Sequence, residues 1–120
     1  MYKSISIFLL VAFQFAQPNL GSDAALDIMT WNIEHFPKAA ETIGYVADFI
    51  QASNLDVIAL QEIESEDSFN YLLSQLPDWD GFRASGASFG INLAYMYRSA
   101  INVDNIYEIY QDNWWAFPRA

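Results

Sequence analysis

Two polar residues, Asn32 and Glu62, each sit at the end of a short apolar run. The first run is Leu26 to Trp31 in "LDIMTWNIEHFPK"; the second is Val57 to Leu60 in "LDVIALQEIES". An amide oxygen and a carboxylate are hard ligands, suited to Mg²⁺ or Mn²⁺ rather than zinc or copper. Mg²⁺ takes one or two carboxylates, keeps water, and shares its sphere with substrate phosphate. A lone Asn and a lone Glu on neighbouring strand ends would form such a sparse site. Taken on spacing alone, the bland alternative stands beside it: Asn32 favours a turn and Glu62 is a solvated surface acid.

The elements around these residues decide whether they can meet. Leu26 to Trp31 has the length and composition of a buried strand. Pro37 interrupts the chain soon after it. Ile43, Val46, Ala47 and Ile50 then recur at helical spacing within Ala39 to Ala52, and Ser53-Asn54 closes that helix. Val57 to Leu60 reads as a second strand. Ser65 can cap a second helix with Glu66 and Asp67 in its first turn, a stripe of Phe69, Leu72, Leu73 and Leu76, and Pro77 as its stop. A strand–helix–strand unit makes parallel neighbours with a right-handed crossover. Both strand ends then lie on one sheet edge, and open α/β sheets bind ligands at the carboxyl edge.

The second half reads differently. Trp79 to Ala84 is a weak strand, and "SGASFG" from Ser85 to Gly90 is a small-residue loop. Ile91 to Arg98 and Ile101 to Tyr110 are rich in Ile, Val and Tyr and predict a hairpin across Ser99-Ala100. Asp112 to Ala120 reads as a loop carrying Trp114 and Trp115, which either cover a core or stack on a ligand.

Composition bounds the functional classes. The 120 residues suffice for one small domain, and 53% hydrophobic with 17% aromatic residues suits a packed core. With 5 basic and 15 acidic residues the formal net charge is -10, which opposes nonspecific attraction to nucleic acid and to anionic membranes. The chain has no cysteine, so disulfides, thiolate-bound zinc, a thiol nucleophile and a lipoprotein anchor are excluded. Lys3, the apolar run Ile5 to Ala16 and the small residues Ser22 and Ala24 succeed one another in the order of an export signal. The run is well short of the roughly 20 residues that span a bilayer; the alternative is a buried N-terminal strand. Residues 1–24 are therefore expected to be a signal and cleavage region. The protein is expected to be exported to a bacterial periplasm or medium, with no stable membrane anchor.

"TWNIEHF" from Thr30 and "DVIALQEI" from Asp56 resemble the first two motifs of the endonuclease/exonuclease/phosphatase family, the deoxyribonuclease-like metal-dependent phosphoesterases. The order matches too: strand, WN, helix, strand, QE, helix. "GINLAYMYRS", Gly90 to Ser99, resembles the family's next strand, and "AFPRA", Ala116 to Ala120, the start of its aromatic–Pro–Arg segment. The resemblance covers about residues 26 to 120.

The resemblance implies an α/β fold, the N-terminal half of a four-layer α/β/β/α sandwich with two packed sheets and outer helices. Residues 25–120 would be the N-terminal part of that domain. It implies Mg²⁺- or Mn²⁺-assisted hydrolysis of a phosphodiester or phosphomonoester. By position, Asn32 matches the asparagine that helps orient metal and phosphate, Glu62 the metal-binding glutamate, and Arg119 an arginine near substrate. The substrate class is a phosphoester: nucleic acid, a phospholipid headgroup or a small phosphate ester. The family's Asp-x-Asn and Ser-Asp-His motifs, the latter supplying the general-base histidine, have no counterpart in the chain, and the family domain is about twice as long. These residues alone are accordingly expected to be inactive and to need the C-terminal half of the domain. The alternative is a noncatalytic binding or structural protein that keeps part of the fold.

The remaining candidates have simpler readings. His35 and Glu34 lie in a loop beside Pro37 and read as rim residues, Glu34 with a part in orienting a ligand. Arg83 and Arg98, at strand ends, read as surface charges, and the "SGASFG" loop reads as plain flexible chain without a following helix. The signal reading is checked by N-terminal sequencing of exported protein. The mature chain should begin between Gln17 and Leu26, and a retained Met1 in soluble cytoplasmic protein would refute it.

Overall fold

A computed structural model describes residues 20–109. The expected signal falls mostly outside them, as do Tyr110, Trp114, Trp115 and Arg119. The described chain is α/β: β1 (Ile28–Phe36), α1 (Ala40–Ser53), β2 (Val57–Ile63), α2 (Glu66–Ser74), β3 (Trp79–Arg83), a short 3-10 turn at Ser88–Gly90, and β4 (Asn92–Arg98). The strands form one mixed sheet in the order β1-β2-β4-β3. β1 and β2 pair in parallel, while β4 runs antiparallel to both β2 and β3. Among the described residues no helix is long and apolar enough to cross a membrane.

Both helices form where the stripes place them. Ile43, Val46, Ala47 and Ile50 are buried along α1, which stops at Asn54 in the left-handed region at φ 53°. The Ser65 hydroxyl accepts from the Ser68 N–H at 3.1 Å at the start of α2, a cap worth about 1 kcal/mol. Phe69, Leu72 and Leu76 are buried beneath that helix. Their partners on the sheet are Ile58, Leu60, Ala94 and Met96, which share one core with them. Strand side chains alternate between faces. The opposite face therefore carries Val57, Ala59, Phe82, Tyr95 and Tyr97, all half-buried and outside that core.

Three expectations are corrected. The strand Ile101 to Tyr110 does not form: residues 101–109 are irregular, and β4 takes β3 as its hairpin partner. Val103, Tyr107 and Ile109 are exposed there. β-branched and aromatic residues favour strands only where a pleated, half-buried surface receives them. Nor do the first two strands stop at Asn32 and before Gln61. β1 continues to Phe36 and β2 to Ile63, because Phe36 and Ile63 still bury fully against the helices. Arg83 and Arg98 are not solvated charges. The Arg98 guanidinium lies 4.6 Å from the Trp79 ring centroid and its Nε donates to the Leu55 carbonyl at 3.0 Å.

α2 approaches β3 through a glycine. A Cβ on Gly81 would lie 2.9 Å from the Tyr95 carbonyl oxygen and 3.0 Å from Phe69 Cζ. Filling that space forces core atoms apart, at a cost of about 1–3 kcal/mol. Gly81→Ala should lower the urea midpoint by that free energy with an unchanged slope.

Candidate metal site at the bulged strand ends

The parallel pairing brings the two motifs to one rim. Thr30 is in register with Ala59 and Asn32 with Gln61. Beyond that point the ladder is irregular: β1 advances from Asn32 to Phe36 while β2 advances only from Gln61 to Ile63. On its other side, β2 passes from Leu60 to Ile63 while β4 moves from Ala94 to Asn92. Both strands bulge, and bulges beside active sites re-aim side chains.

The backbone is strained here. Glu34 (φ 37°), His35 (φ 53°) and Glu62 (φ 67°) all lie in the left-handed region. For residues with a side chain this costs on the order of 1–3 kcal/mol each and persists where surrounding contacts enforce it. Those contacts are present. The Asn32 Oδ1 accepts from the Glu34 N–H at 2.9 Å, and the Glu64 N–H donates to the Phe36 carbonyl at 3.0 Å.

The structure places Asn32 and Glu62 side by side, with Asn32 Nδ2 donating to Glu62 Oε1 at 3.1 Å. Gln61 faces the other way along the strand pair, donating to Thr30 Oγ1 at 2.9 Å and the Ala59 carbonyl at 3.1 Å. Around the pair the rim is acidic. Lys38 Nζ lies 2.9 Å from Glu34 Oε2, and the His35 ring pairs through Nδ1 with Glu64. The Lys38–Glu34 pair has i,i+4 spacing. The Glu64 carboxylate, first by its hydrogen bond and then by its charge, raises the His35 pKa above its ordinary 6.5.

Glu64, passed over in the sequence, and Arg83, read there as a surface charge, prove structural at this rim. Glu64 anchors His35, and Arg83 donates to the carbonyls of Ile63 and Glu64 at 3.0 to 3.3 Å. The "SGASFG" loop is also held. Glu108 accepts from the Ser85 and Gly86 N–H groups, each at 2.8 Å, and Asn92 Oδ1 accepts from the Ala87 N–H at 3.1 Å.

A match to the model of the Endonuclease/Exonuclease/phosphatase family spans residues 29–119. The chain belongs to this family. Neither the curated proteins nor the solved structures gave a match. Family members are generally hydrolytic and dependent on a divalent metal. Among the described residues no three His, Cys, Asp or Glu side chains converge into a metal cage. The donors at the rim nevertheless fit Mg²⁺ in kind: the Glu62 carboxylate and the Asn32 amide oxygen, hard ligands on one rim.

The His35–Glu64 pair makes a signed prediction. In the unfolded chain His35 titrates near 6.5; in the folded chain its pKa is raised. Its contribution to stability is therefore fully present below about 6.5 and disappears as pH rises through the folded value. An NMR titration of the imidazole should give a midpoint above 6.5, and Glu64→Gln should return it toward 6.5.

Proposed function

We propose that the chain is the N-terminal part of an exported, Mg²⁺-dependent phosphoesterase that hydrolyses phosphodiester or phosphomonoester bonds. The observation that carries this reading is the meeting of Asn32 and Glu62 at the carboxyl rim of two parallel strands, within a chain that belongs to this family. The face bearing Tyr95, Tyr97 and Phe82 supports a second sheet packed against the first, as in a four-layer sandwich.

Glu62 and Asn32 would hold the ion. Bound there, Mg²⁺ supplies Lewis-acid stabilisation of charge on the phosphoryl and leaving oxygens. The chain's own groups do the positioning. The Asn32 amide N–H fixes the orientation of the Glu62 carboxylate, and the Glu34 N–H in turn fixes the Asn32 amide. Thus a single orientation of Asn32 serves both neighbours. Arg119, in the family's aromatic–Pro–Arg segment, would face the phosphate, for which a guanidinium is well shaped. The net charge of -10 favours small or neutralised phosphoesters over long nucleic acid.

Removing outer partners of metal ligands costs about 10–100-fold in affinity or activity, so a direct ligand should cost at least about 100-fold. In the full-length protein Glu62→Gln should lower hydrolysis of a bis-aryl phosphodiester by that factor, with a higher Mg²⁺ requirement. Wild-type rate and metal dependence in that variant would remove Glu62 from the site.

A further inference from the structure

We propose that Arg83 is the positioning residue that holds Glu62 in its metal-binding attitude, an inference that rests on the metal-site reading above. Arg83 ends β3, two strands away from β2 in the sheet. Its guanidinium reaches past β4 to the exit of the β2 bulge. Nε and Nη2 donate to the Ile63 carbonyl at 3.3 and 3.1 Å, and Nη2 donates to the Glu64 carbonyl at 3.0 Å. The same group donates to the Gly90 carbonyl at 3.3 Å and the Ala84 carbonyl at 3.4 Å.

Four carbonyls are thus gathered on one rigid, planar, permanently charged fork. Two of them belong to the residues that directly follow Glu62. Glu62 itself is left-handed, at the point where the β2–β4 ladder breaks between Leu60 and Ile63. A side chain leaving such a bulge points where the flanking peptides direct it. The Ile63 and Glu64 carbonyls lie in the two peptides just beyond those that flank Glu62, so fastening them fixes where β2 leaves the bulge and thereby restricts the direction of the Glu62 carboxylate.

The anchor is itself held. Asn92 is 3% exposed and stands opposite Ile63 in β4. Its Nδ2 donates to the same Gly90 carbonyl at 3.1 Å, while its Oδ1 accepts from the Ala87 N–H at 3.1 Å. Arg83 and Asn92 together bind the loop before β4 to the end of β2. A lysine would keep the charge of Arg83 but not the fork, since an ammonium is a point charge with no fixed plane.

The test uses full-length protein, Mn²⁺ alone as the probe, and the variants Arg83→Met, Arg83→Lys and Glu62→Gln. Mn²⁺ affinity is read from water-proton relaxation. The Glu62 backbone angle is read without metal from its amide-to-Hα coupling. Arg83→Met is expected to weaken Mn²⁺ binding about tenfold or more and to shift the Glu62 coupling. Arg83→Lys should not restore either, which separates positioning from a charge effect. If Arg83→Met fails to fold, Arg83→Lys carries the comparison. Wild-type Mn²⁺ affinity and an unchanged Glu62 coupling in a folded Arg83 variant would overturn the proposal. So would full rescue by lysine. Glu62→Gln tests the metal-site reading separately. Should it retain wild-type Mn²⁺ affinity, that reading falls, and the proposal for metal positioning falls with it, whatever the Glu62 coupling shows.

Discussion

The parallel pairing of β1 with β2 is the constraint on which the site depends. It requires α1 to return the chain across one face of the sheet, and the Ile43, Val46, Ala47, Ile50 stripe lets α1 do so while burying itself. The resulting register sets Asn32 opposite Gln61 and leaves Glu62 one step further along. No local interaction could bring two residues so far apart in the chain to one rim. The core supplies this placement: Ile58 and Leu60 of β2 are fixed under the helices, so their neighbours on the strand have no freedom of register.

A regular ladder would not have been enough. In ideal parallel strands successive side chains alternate between faces, so Gln61 and Glu62 would point oppositely and only one polar residue per strand would reach a given face. The bulges break this alternation, and they do so while Phe36 and Ile63 remain in the core. The strain of Glu34, His35 and Glu62 is thus the local cost of turning polar groups outward without releasing the apolar ones beyond them.

That arrangement explains which features were legible in the sequence and which were hidden. The helices were legible because their stripes keep one period over several turns, and Ser65 and Pro77 mark where α2 begins and must end. The parallel pair, and with it the nearness of Asn32 and Glu62, came from strand–helix–strand order. The bulges were not legible. Isolated Ile33, Phe36 and Ile63 stand among Asn, Glu, His and Gln, and a polar residue after an apolar run looks like the end of a strand. The irregular path of 101–109 was hidden for a different reason. Ile101, Val103, Ile106 and Tyr107 have strand composition, but pairing depends on an available edge, which composition does not encode. The role of Arg83 was hidden because its partners are carbonyls: any residue type presents one, so no side-chain pattern marks Ile63 or Glu64 as its target.

The hydrogen-bond directions also distinguish the two proposed ligands. The Asn32 amide donates its N–H to Glu62 and accepts at its oxygen from the Glu34 N–H. A cation using the Asn32 oxygen would have to share it with that N–H, whereas an ionised carboxylate has two oxygens and about four acceptor positions. Glu62 can therefore accept from Asn32 and still offer negative charge to a cation. On the proposed reading the carboxylate would be the stronger ligand, and the amide would chiefly orient it. Lys38 lies against Glu34 and His35 against Glu64, and the charges of Glu62 and Glu34 add to that of Glu64 in raising the His35 pKa. A neutral donor such as the Asn32 amide orients a carboxylate without adding a positive charge of its own.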